Sequence, residues 1–224
     1  MNTAIIVAAG AGTRFGSEKT KQFVELNGKP MIVHTIERFE AAPSIDSILL
    51  VLAADRIGEF ETLASAFGFS KLSEIVSGGA TRADSVKNGL NAVDPTSEIV
   101  AVHDGARPFV SVDEIEQVVG AAKRTGAACL VGKVIDTIKS IRGGEIAATL
   151  DRSQLRRALT PQAFHIDVIK KAFENVELSD AVTDECYLVE KLGHPIVIVE
   201  GSSRNIKITQ PEDILFAEAL LKLS

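Results

Sequence analysis

Short apolar runs alternate with helical patterns along this chain of 224 residues. Runs rich in valine and isoleucine are typical of strands that are buried on both faces of a parallel sheet. The segments with this character are Ala4–Ala8, Ile48–Ala53, Ile99–His103, Ala128–Val131 and Ile196–Val199. We therefore expect a sheet whose strands are contributed by the whole length of the chain.

Between these runs, apolar residues recur three and four positions apart, which is the spacing of one helix face. The apolar positions are Ile32, Ile36 and Phe39 in a first helix, Val86, Leu90 and Val93 in a second, and Ile115, Val118, Val119 and Ala122 in a third. Ser111 and Glu114 form a capping-box pattern at the start of the third helix. Pro211 with Glu212 and Asp213 fits the first turn of a C-terminal helix.

This alternation predicts an α/β fold with a doubly wound, mostly parallel, Rossmann-like sheet. No internal repeat, low-complexity tract or linker is visible, so residues 1–224 are predicted to form a single domain. Ligands of such sheets bind beside the carboxyl ends of the strands. The loops that follow the apolar runs are therefore the expected site.

One segment interrupts the alternation: residues 136–150 read DTIKSIRGGEIAATL. The pair Gly143-Gly144 suits a two-residue hairpin turn, which predicts an inserted β-arm at about residues 136–150. A hairpin with weak apolar alternation has little stability alone in water, and a second chain packed against it would support it.

Charge and cysteine content limit the classes of function. The net charge of −6 argues against a broad nucleic-acid surface or an anionic-membrane patch, so neither partner is expected. Cys129 and Cys186 form no CxxC pair, which argues against a zinc site and favours a reducing compartment. No run approaches the roughly 18 apolar residues of a membrane span, and no signal segment is visible. We expect a cytoplasmic protein.

The segment AAGAGTRFGSEKTKQF, residues 8–23, carries the first candidate chemistry. Gly10 and Gly12 follow the first predicted strand, and backbone N–H groups in such a turn can converge on phosphate oxygens. A dinucleotide fingerprint would place its third glycine at Phe15, and a Walker loop would need a GK[ST] sequence that is absent here. Arg14 and Lys21 instead suit a triphosphate, although solvated charges beside a plain turn are the structural alternative.

Two later loops add candidates. Asp104 ends a predicted strand, where a lone carboxylate suits either Mg²⁺ or a ribose hydroxyl, and loop capping is the structural alternative. His103 has no partner at the spacing of a catalytic pair or a metal triad, so nucleophilic catalysis is not expected. Gly78-Gly79 predicts a tight turn before a helix, which Thr81 and Asp84 could cap.

Together these segments resemble the signature of the sugar-phosphate nucleotidyltransferases, and within them the 2-C-methyl-D-erythritol 4-phosphate cytidylyltransferases of the non-mevalonate isoprenoid pathway. The resemblance runs nearly end to end. Its further motifs are GGATRADSVKNGL (78–90), HDGARP (103–108), DT (136–137), DRSQLRRALTPQAF (151–164), TDE (183–185) and GSSRNIKIT (201–209). One departure is Thr20, where the family usually has proline.

The resemblance implies transfer of a cytidylyl group from CTP to 2-C-methyl-D-erythritol 4-phosphate, with Mg²⁺ as cofactor and release of pyrophosphate. It implies catalytic roles for Arg14, Lys21, Arg152 and Lys207. The implied nucleotide contacts are Ala8, Ala9, Gly10, Gly12, Gly78, Gly79, Ser85, Asp104 and Ala106, and the implied polyol-phosphate contacts are Asp104, Arg107, Thr137, Arg152, Thr160, Thr183 and Lys207. Asp104 is the candidate metal ligand. A homodimer is implied, with Thr137 and Arg152 on the arm side reaching the partner's site.

Three alternatives stay open at this point. A ribitol 5-phosphate cytidylyltransferase would share the fold and most motifs, and the TDE sequence at 183–185 favours the methylerythritol substrate only slightly. A catalytically silent nucleotide-binding regulatory protein would have no physical reason to keep Arg14, Lys21, Arg152 and Lys207 together. An NAD-dependent oxidoreductase is disfavoured by the misplaced glycine and the charged loop.

Overall fold

A computed structural model describes residues 1–10, 21–178 and 182–222. The strands are β1 (Asn2–Val7), β2 (Glu25–Leu26), β3 (Lys29–Pro30), β4 (Ser47–Leu52), β5 (Leu72–Ser77), β6 (Ile99–Asp104), β7 (Ala127–Lys133), β8 (Lys139–Arg142), β9 (Glu145–Thr149), β10 (Arg156–His165) and β11 (Val197–Glu200). The helices are α1 (Met31–Glu40), α2 (Ile57–Ala64), α3 (Arg82–Ala92), α4 (Val112–Thr125), α5 (Ile166–Asn175), α6 (Glu185–Lys191) and α7 (Asp213–Leu221). Within these ranges, no helix has the length and apolar character that crossing a membrane requires.

The central sheet has the strand order β11-β7-β10-β6-β1-β4-β5. All its pairings are parallel except those that β10 makes with β6 and β7. The chain leaves β1 toward β4 and β5 and then returns to form β6 on the other side of β1. The predicted doubly wound, mostly parallel sheet is confirmed, and its switch point lies where the carboxyl ends of β1 and β6 meet.

Helices cover both faces of this sheet. Apolar side chains of α1 and α4 pack in one buried cluster with the sheet, and those of α3, α5 and α6 pack in another. The helix face predicted from Ile32, Ile36 and Phe39 is confirmed, since all three are fully buried in α1. Burial of each such side chain stabilises the fold by about 1.5–3 kcal/mol. The predicted capping box of Ser111 and Glu114 is also present.

Two features of the sheet differ from expectation. The prediction that Ile196–Val199 is buried on both faces is wrong, because β11 is an edge strand and Ile198 is 53% exposed. The sequence pattern does not predict strands β5 and β10, because neither segment contains a long unbroken apolar run. In β5, Ser73 and Glu74 are exposed at the opposite edge of the sheet, and β10 begins with two exposed arginines.

The predicted hairpin is confirmed. Strands β8 and β9 form a separate two-stranded antiparallel sheet, in which Arg142 pairs with Glu145. Gly143 and Gly144 make the turn between them with φ values of +60° and +86°. Positive φ at both turn residues is the geometry of a type I′ hairpin turn, which matches the right-handed twist of the strands.

Candidate active site

A cavity of about 380 Å³ opens at the switch point of the sheet, above the carboxyl ends of β1 and β6. Segments far apart in the sequence line it. They contribute Val7, Ala8, Ala9, Gly10, Lys21, Gln22, Gly79, Ala80, Thr81, Arg82, Asp104, Ala106 and Lys207. The parallel sheet therefore brings together most of the predicted nucleotide contacts. Gly12 and Arg14 lie outside the described residues.

The first wall of the cavity is the segment that follows β1. Ala8 N–H donates to the Val51 carbonyl at 2.8 Å, which extends the β1–β4 pairing by one residue. The buried Gln22 side chain donates to the Gly10 carbonyl at 3.0 Å. No atom of the described residues lies within 4 Å of the position that a Cβ on Gly10 would occupy.

The second wall is the turn Gly78-Gly79, and both glycines are required by packing. A Cβ at Gly78 would lie 2.2 Å from the Cβ of Ala9, and one at Gly79 would lie 2.3 Å from the Cβ of Asp84. Contacts this short cannot be made by real atoms. The two glycines therefore allow the segment after β1 and the start of α3 to approach the same turn.

The start of α3 is fixed by internal hydrogen bonds. Thr81 and Asp84 form a capping box, as the sequence predicts. The Ser85 hydroxyl donates to the Thr81 carbonyl at 2.9 Å and accepts from Gly79 N–H at 3.1 Å. Ser85 is 3% exposed, so its hydroxyl stabilises the turn and is occupied by the protein itself.

Asp104 is the centre of an ion cluster at the floor of the cavity. Its Oδ1 lies 3.0 Å from Arg82 Nε, and its Oδ2 lies 2.9 Å from Lys207 Nζ and 3.4 Å from Arg107 Nε. Burial alone would raise the pKa of Asp104, but the charges of Arg82 and Lys207 outweigh it and hold that pKa well below its ordinary value. The carboxylate is therefore ionised.

Arg82 is shared between Asp104 and a second carboxylate. Its two terminal nitrogens lie 2.6 and 3.1 Å from the oxygens of Glu185, whose side chain is 1% exposed. Burial raises the pKa of Glu185, and the guanidinium of Arg82 opposes that rise. Burial would lower the pKa of Arg82, but Glu185 and Asp104 outweigh it and raise that pKa. Arg82 is held as a cation.

A neutral histidine, His103, makes hydrogen bonds next to the ion cluster. His103 Nε2 lies 3.1 Å from the Arg107 carbonyl, which can only accept, so Nε2 carries the proton. Its Nδ1 then accepts from the Thr160 hydroxyl at 3.0 Å, and that hydroxyl accepts from Asp104 N–H at 3.1 Å. Burial lowers the pKa of His103 to about 4. The Thr160 hydroxyl thus donates to His103 and accepts from Asp104 N–H. These two hydrogen bonds fix the backbone at Asp104.

Lys21 lines the cavity beside the loop segment that carries Lys207. Lys21 Nζ donates to the Ile208 carbonyl at 2.8 Å, and Ile208 N–H donates to the Ala106 carbonyl at 2.9 Å. Both lysines line the cavity. Two cations from opposite ends of the chain therefore face the same space.

Five predicted contacts of the second substrate are not in this lining. Arg107 and Thr160 are bonded to Asp104, and the other three lie elsewhere. Arg152 is exposed in a separate groove of about 390 Å³, where it donates to the Ile135 carbonyl. Thr137 is exposed at the foot of the arm. Thr183 is exposed just before Asp184, the residue that caps α6.

Sequence reasoning missed the roles of Arg82, Glu185 and Gln22 in building the site. Arg82 belongs to the matched motif at 78–90, but its partner Glu185 is 103 positions away. No local spacing rule connects such a pair. The signal that was available was Glu185 itself, a carboxylate in the matched TDE motif.

The residues present fit Mg²⁺ only as a companion of a phosphorylated ligand. Across residues 1–10, 21–178 and 182–222, no group of three or more His, Cys, Asp or Glu side chains could hold a metal ion. Mg²⁺ often binds through one carboxylate and substrate phosphates. Both oxygens of Asp104, however, are engaged by cations. A direct bond from Asp104 to the metal stays a prediction.

A glycine turn beside converging cations, at the switch point of a doubly wound sheet, is typical of sites for phosphorylated nucleotides. Comparison with known proteins specifies the class further. The family model for 2-C-methyl-D-erythritol 4-phosphate cytidylyltransferase (IspD) matches residues 2–223. The chain therefore belongs to the 2-C-methyl-D-erythritol 4-phosphate cytidylyltransferase family.

Individual relatives agree over nearly the full length. The 2-C-methyl-D-erythritol 4-phosphate cytidylyltransferase of Syntrophus aciditrophicus is 43% identical over 222 residues, covering 98% of this chain and 95% of the relative. That of Clostridium novyi is 45% identical over 228 residues, covering 99% and 96%. The crystal structure of 4-diphosphocytidyl-2C-methyl-D-erythritol synthase from Anaerococcus prevotii superposes with a TM-score of 0.87 at 32% identity, covering 99% of this chain and 96% of that one.

Proposed function

We propose that the cavity at the switch point is the CTP site of this enzyme. As a member of its family, the chain is a cytidylyltransferase that transfers the cytidylyl group of CTP to 2-C-methyl-D-erythritol 4-phosphate and releases pyrophosphate. One observation carries the proposal for the cavity: Lys21 and Arg82 line the same space as the two glycine-containing walls. Backbone N–H groups and cations in one cavity suit a triphosphate.

The reaction needs no general base from the protein. A phosphate oxygen of methylerythritol phosphate attacks the α-phosphorus of CTP, and the bond from that phosphorus to the β-phosphate oxygen breaks. The attacking oxygen is already ionised. His103 could not take part, because it is buried, neutral and occupied by the Arg107 carbonyl and Thr160. Catalysis then consists of positioning and of stabilising the charge that develops at phosphorus.

Lys21 is our candidate for stabilising that charge. Its ammonium group lines the cavity and is held by the Ile208 carbonyl, so its position is fixed before the substrate arrives. A donor that is already oriented stabilises the transition state without reorganisation. Arg14 keeps the same proposed role from the family resemblance, outside the described residues.

The nucleotide and the polyol phosphate are proposed to lie on opposite sides of Asp104. Ala8, Ala9, Gly10 and Gly79 line the nucleotide side, with Ala106 beside them, while Gly78 and Ser85 keep the second turn in shape. Lys207 is proposed to bind the polyol phosphate, with Arg107 held next to it by Asp104. Thr160 acts by orienting this loop.

If Mg²⁺ accompanies CTP, the phosphates would supply most of its ligands. When bound, it neutralises part of the charge of the triphosphate. Asp104 is the described carboxylate in the lining that could join it, after exchange of one of its cationic partners.

We further propose a homodimer that forms through the arm. Ile135, Ile141 and Ile146 are 78%, 61% and 66% exposed, which is unusual for isoleucine and supports burial against another chain. Arg152 and Thr137 stand beside this arm and outside the cavity, as expected for residues that complete a partner's site. A cytoplasmic location is proposed as well, where the neighbouring buried thiols of Cys129 and Cys186 would stay reduced.

The test is turnover with two candidate acceptors. The enzyme is incubated with CTP, Mg²⁺ and either 2-C-methyl-D-erythritol 4-phosphate or ribitol 5-phosphate, and pyrophosphate release is followed. We expect rapid pyrophosphate release with 2-C-methyl-D-erythritol 4-phosphate and little with ribitol 5-phosphate. Faster turnover of ribitol 5-phosphate would overturn the acceptor assignment. CTP binding without pyrophosphate from either acceptor would indicate a silent nucleotide-binding protein.

A further inference from the structure

We infer that Glu185 is a positioning residue of the reaction, which acts through Arg82 to hold Asp104 and the second wall of the CTP site in register. The inference rests on the proposed assignment of the cavity to CTP. It concerns a carboxylate that does not line the cavity and that the family resemblance leaves without a role.

The geometry of Arg82 carries the first step. Two of its nitrogens bond to the two oxygens of Glu185 at 2.6 and 3.1 Å, and its Nε bonds to Asp104 at 3.0 Å. A bidentate contact fixes the plane of a guanidinium as well as its position. With the fork on Glu185, the remaining donor of Arg82 is directed at Asp104.

The location of Arg82 in the chain carries the second step. Arg82 is the first residue of α3 and follows the capping residue Thr81. It also lines the cavity with Gly79 and Thr81. Holding its guanidinium therefore ties the second glycine turn to the carboxyl end of β6, where Asp104 lies.

Glu185 is itself held rigidly. It is the first residue of α6, whose capping residue Asp184 accepts from Tyr187 N–H at 3.0 Å and from the Gln162 side chain at 2.9 Å. The side-chain oxygen Oε1 of Gln162 accepts from Cys186 N–H at 3.0 Å. At 1% exposure, Glu185 presents almost no surface to a substrate, and its side chain bonds to Arg82, which lines the cavity.

An electrostatic role and a positioning role of Glu185 predict different kinetic results when its charge is removed. The cluster contains the cations Arg82, Arg107 and Lys207 and the anions Asp104 and Glu185, which leaves one positive charge. Glu185→Gln leaves two, and added positive charge attracts a triphosphate. A purely electrostatic role therefore predicts a lower KM for CTP. A positioning role predicts slower turnover, because a misplaced group at the site costs up to about 100-fold in rate.

The first measurement is the steady-state kinetics of Glu185→Gln and Glu185→Asp. We expect kcat to fall by about 30-fold in both, with KM for CTP within about threefold of wild type. Aspartate keeps the charge but is one methylene shorter, so it cannot keep the bidentate contact. An unchanged kcat in Glu185→Asp, or a lower KM with unchanged kcat in Glu185→Gln, would overturn the inference.

The control is Glu40→Gln, at a carboxylate outside the cavity lining. Glu40 accepts from Ser70 N–H at 3.0 Å, from the Ser70 hydroxyl at 2.9 Å and from Lys71 N–H at 2.7 Å. This variant is expected to lose stability and keep kcat. If Glu185→Gln behaved like it, with a lower Tm and normal kcat per folded enzyme, Glu185 would be merely structural.

A double-mutant cycle checks that the effect passes through Arg82. We expect Arg82→Gln alone and Arg82→Gln with Glu185→Gln to have the same kcat/KM for CTP, within about twofold. Multiplied losses would show that Glu185 acts by another route and overturn the inference. The double variant also removes both buried charges together, which is milder for folding than removing one. Absence of wild-type turnover would instead refute the proposed function.

Discussion

The cavity at the switch point and the β-arm are built on opposite principles. Strand β6, which ends at Asp104, is buried along its whole length, and the ions of the cavity find partners within the chain. Strand β9 of the arm is exposed at every residue, and Ile146 has 66% of its surface in contact with solvent. Among the described residues, the charged side chains of the cavity have partners within the chain, whereas the arm has an apolar surface that none of them covers.

This difference fits separate proposed roles for the cavity and the arm region. Within the part of the chain that the structure describes, the cavity lining and the groove around Arg152 share no residue. The family resemblance assigns Lys21 and Lys207 of the cavity and Arg152 of the groove to one reaction. In the proposed dimer, Arg152 of one chain would complete the cavity of the other. Experiments that separate the two regions therefore test the proposed function and the proposed dimer.

The largest effect is expected from Lys21→Met, which keeps the apolar stem and removes the charge. We expect kcat to fall by about 100- to 1,000-fold, because a preorganised donor to the transition state is lost. KM for CTP should change much less. Lys29→Met is the matched control, since Lys29 pairs with Glu37 at 2.6 Å and does not line the cavity. A raised KM with normal kcat would limit Lys21 to ground-state binding.

The next effect concerns the second glycine turn. In Gly78→Ala the new Cβ would lie 2.2 Å from the Cβ of Ala9, so the turn must move. We expect kcat/KM for CTP to fall by about 10- to 100-fold and the free energy of unfolding to drop by about 1–3 kcal/mol. Gly58→Ala in α2 is the control, because a Cβ there would meet no atom of the described residues within 4 Å. Normal kinetics in Gly78→Ala would show that the turn does not shape the CTP site.

A smaller signal tests whether the two regions combine across chains. Lys21→Ala and Arg152→Ala are each expected to be inactive as homodimers. After subunit exchange, up to about a quarter of wild-type activity should return, since half of the dimers are mixed and each has one intact site. Pyrophosphate release before and after exchange is the measurement. No recovery despite proven exchange would place Arg152 in the site of its own chain.

The cavity's frame could be predicted from sequence because its signals are local. The apolar run that became β6 and the glycines after β1 follow rules of spacing within a few residues. The pairing of Arg82 with Glu185 obeys no such rule, since it arises only when α3 and α6 are packed on the sheet. In the arm, the Gly143-Gly144 turn also follows a local rule. Periodicity does not reveal, however, what packs against the exposed strands of the arm.

Exposure was the least predictable property. The segment Ile196–Val199 has the composition of a buried strand, and its position at the edge of the sheet leaves Ile198 half exposed. Position in a sheet depends on the order in which all strands pair. An apolar run therefore identifies a strand with more certainty than it identifies the faces that the strand buries.

The smallest effect is expected from Ile146→Ala in the arm, measured in dilute, monomeric protein. The free energy of unfolding should change by less than about 0.5 kcal/mol, because Ile146 is already largely exposed. Ile48→Ala, at a fully buried position of β4, should lower it by about 2–5 kcal/mol.

At high concentration the arm variant should differ from wild type, since a dimer that buries Ile146 loses apolar contact area and its dissociation constant rises. Sedimentation measures that constant. An unchanged value would place Ile146 outside the interface, and an equal loss of stability in both variants would show that the arm packs on its own chain.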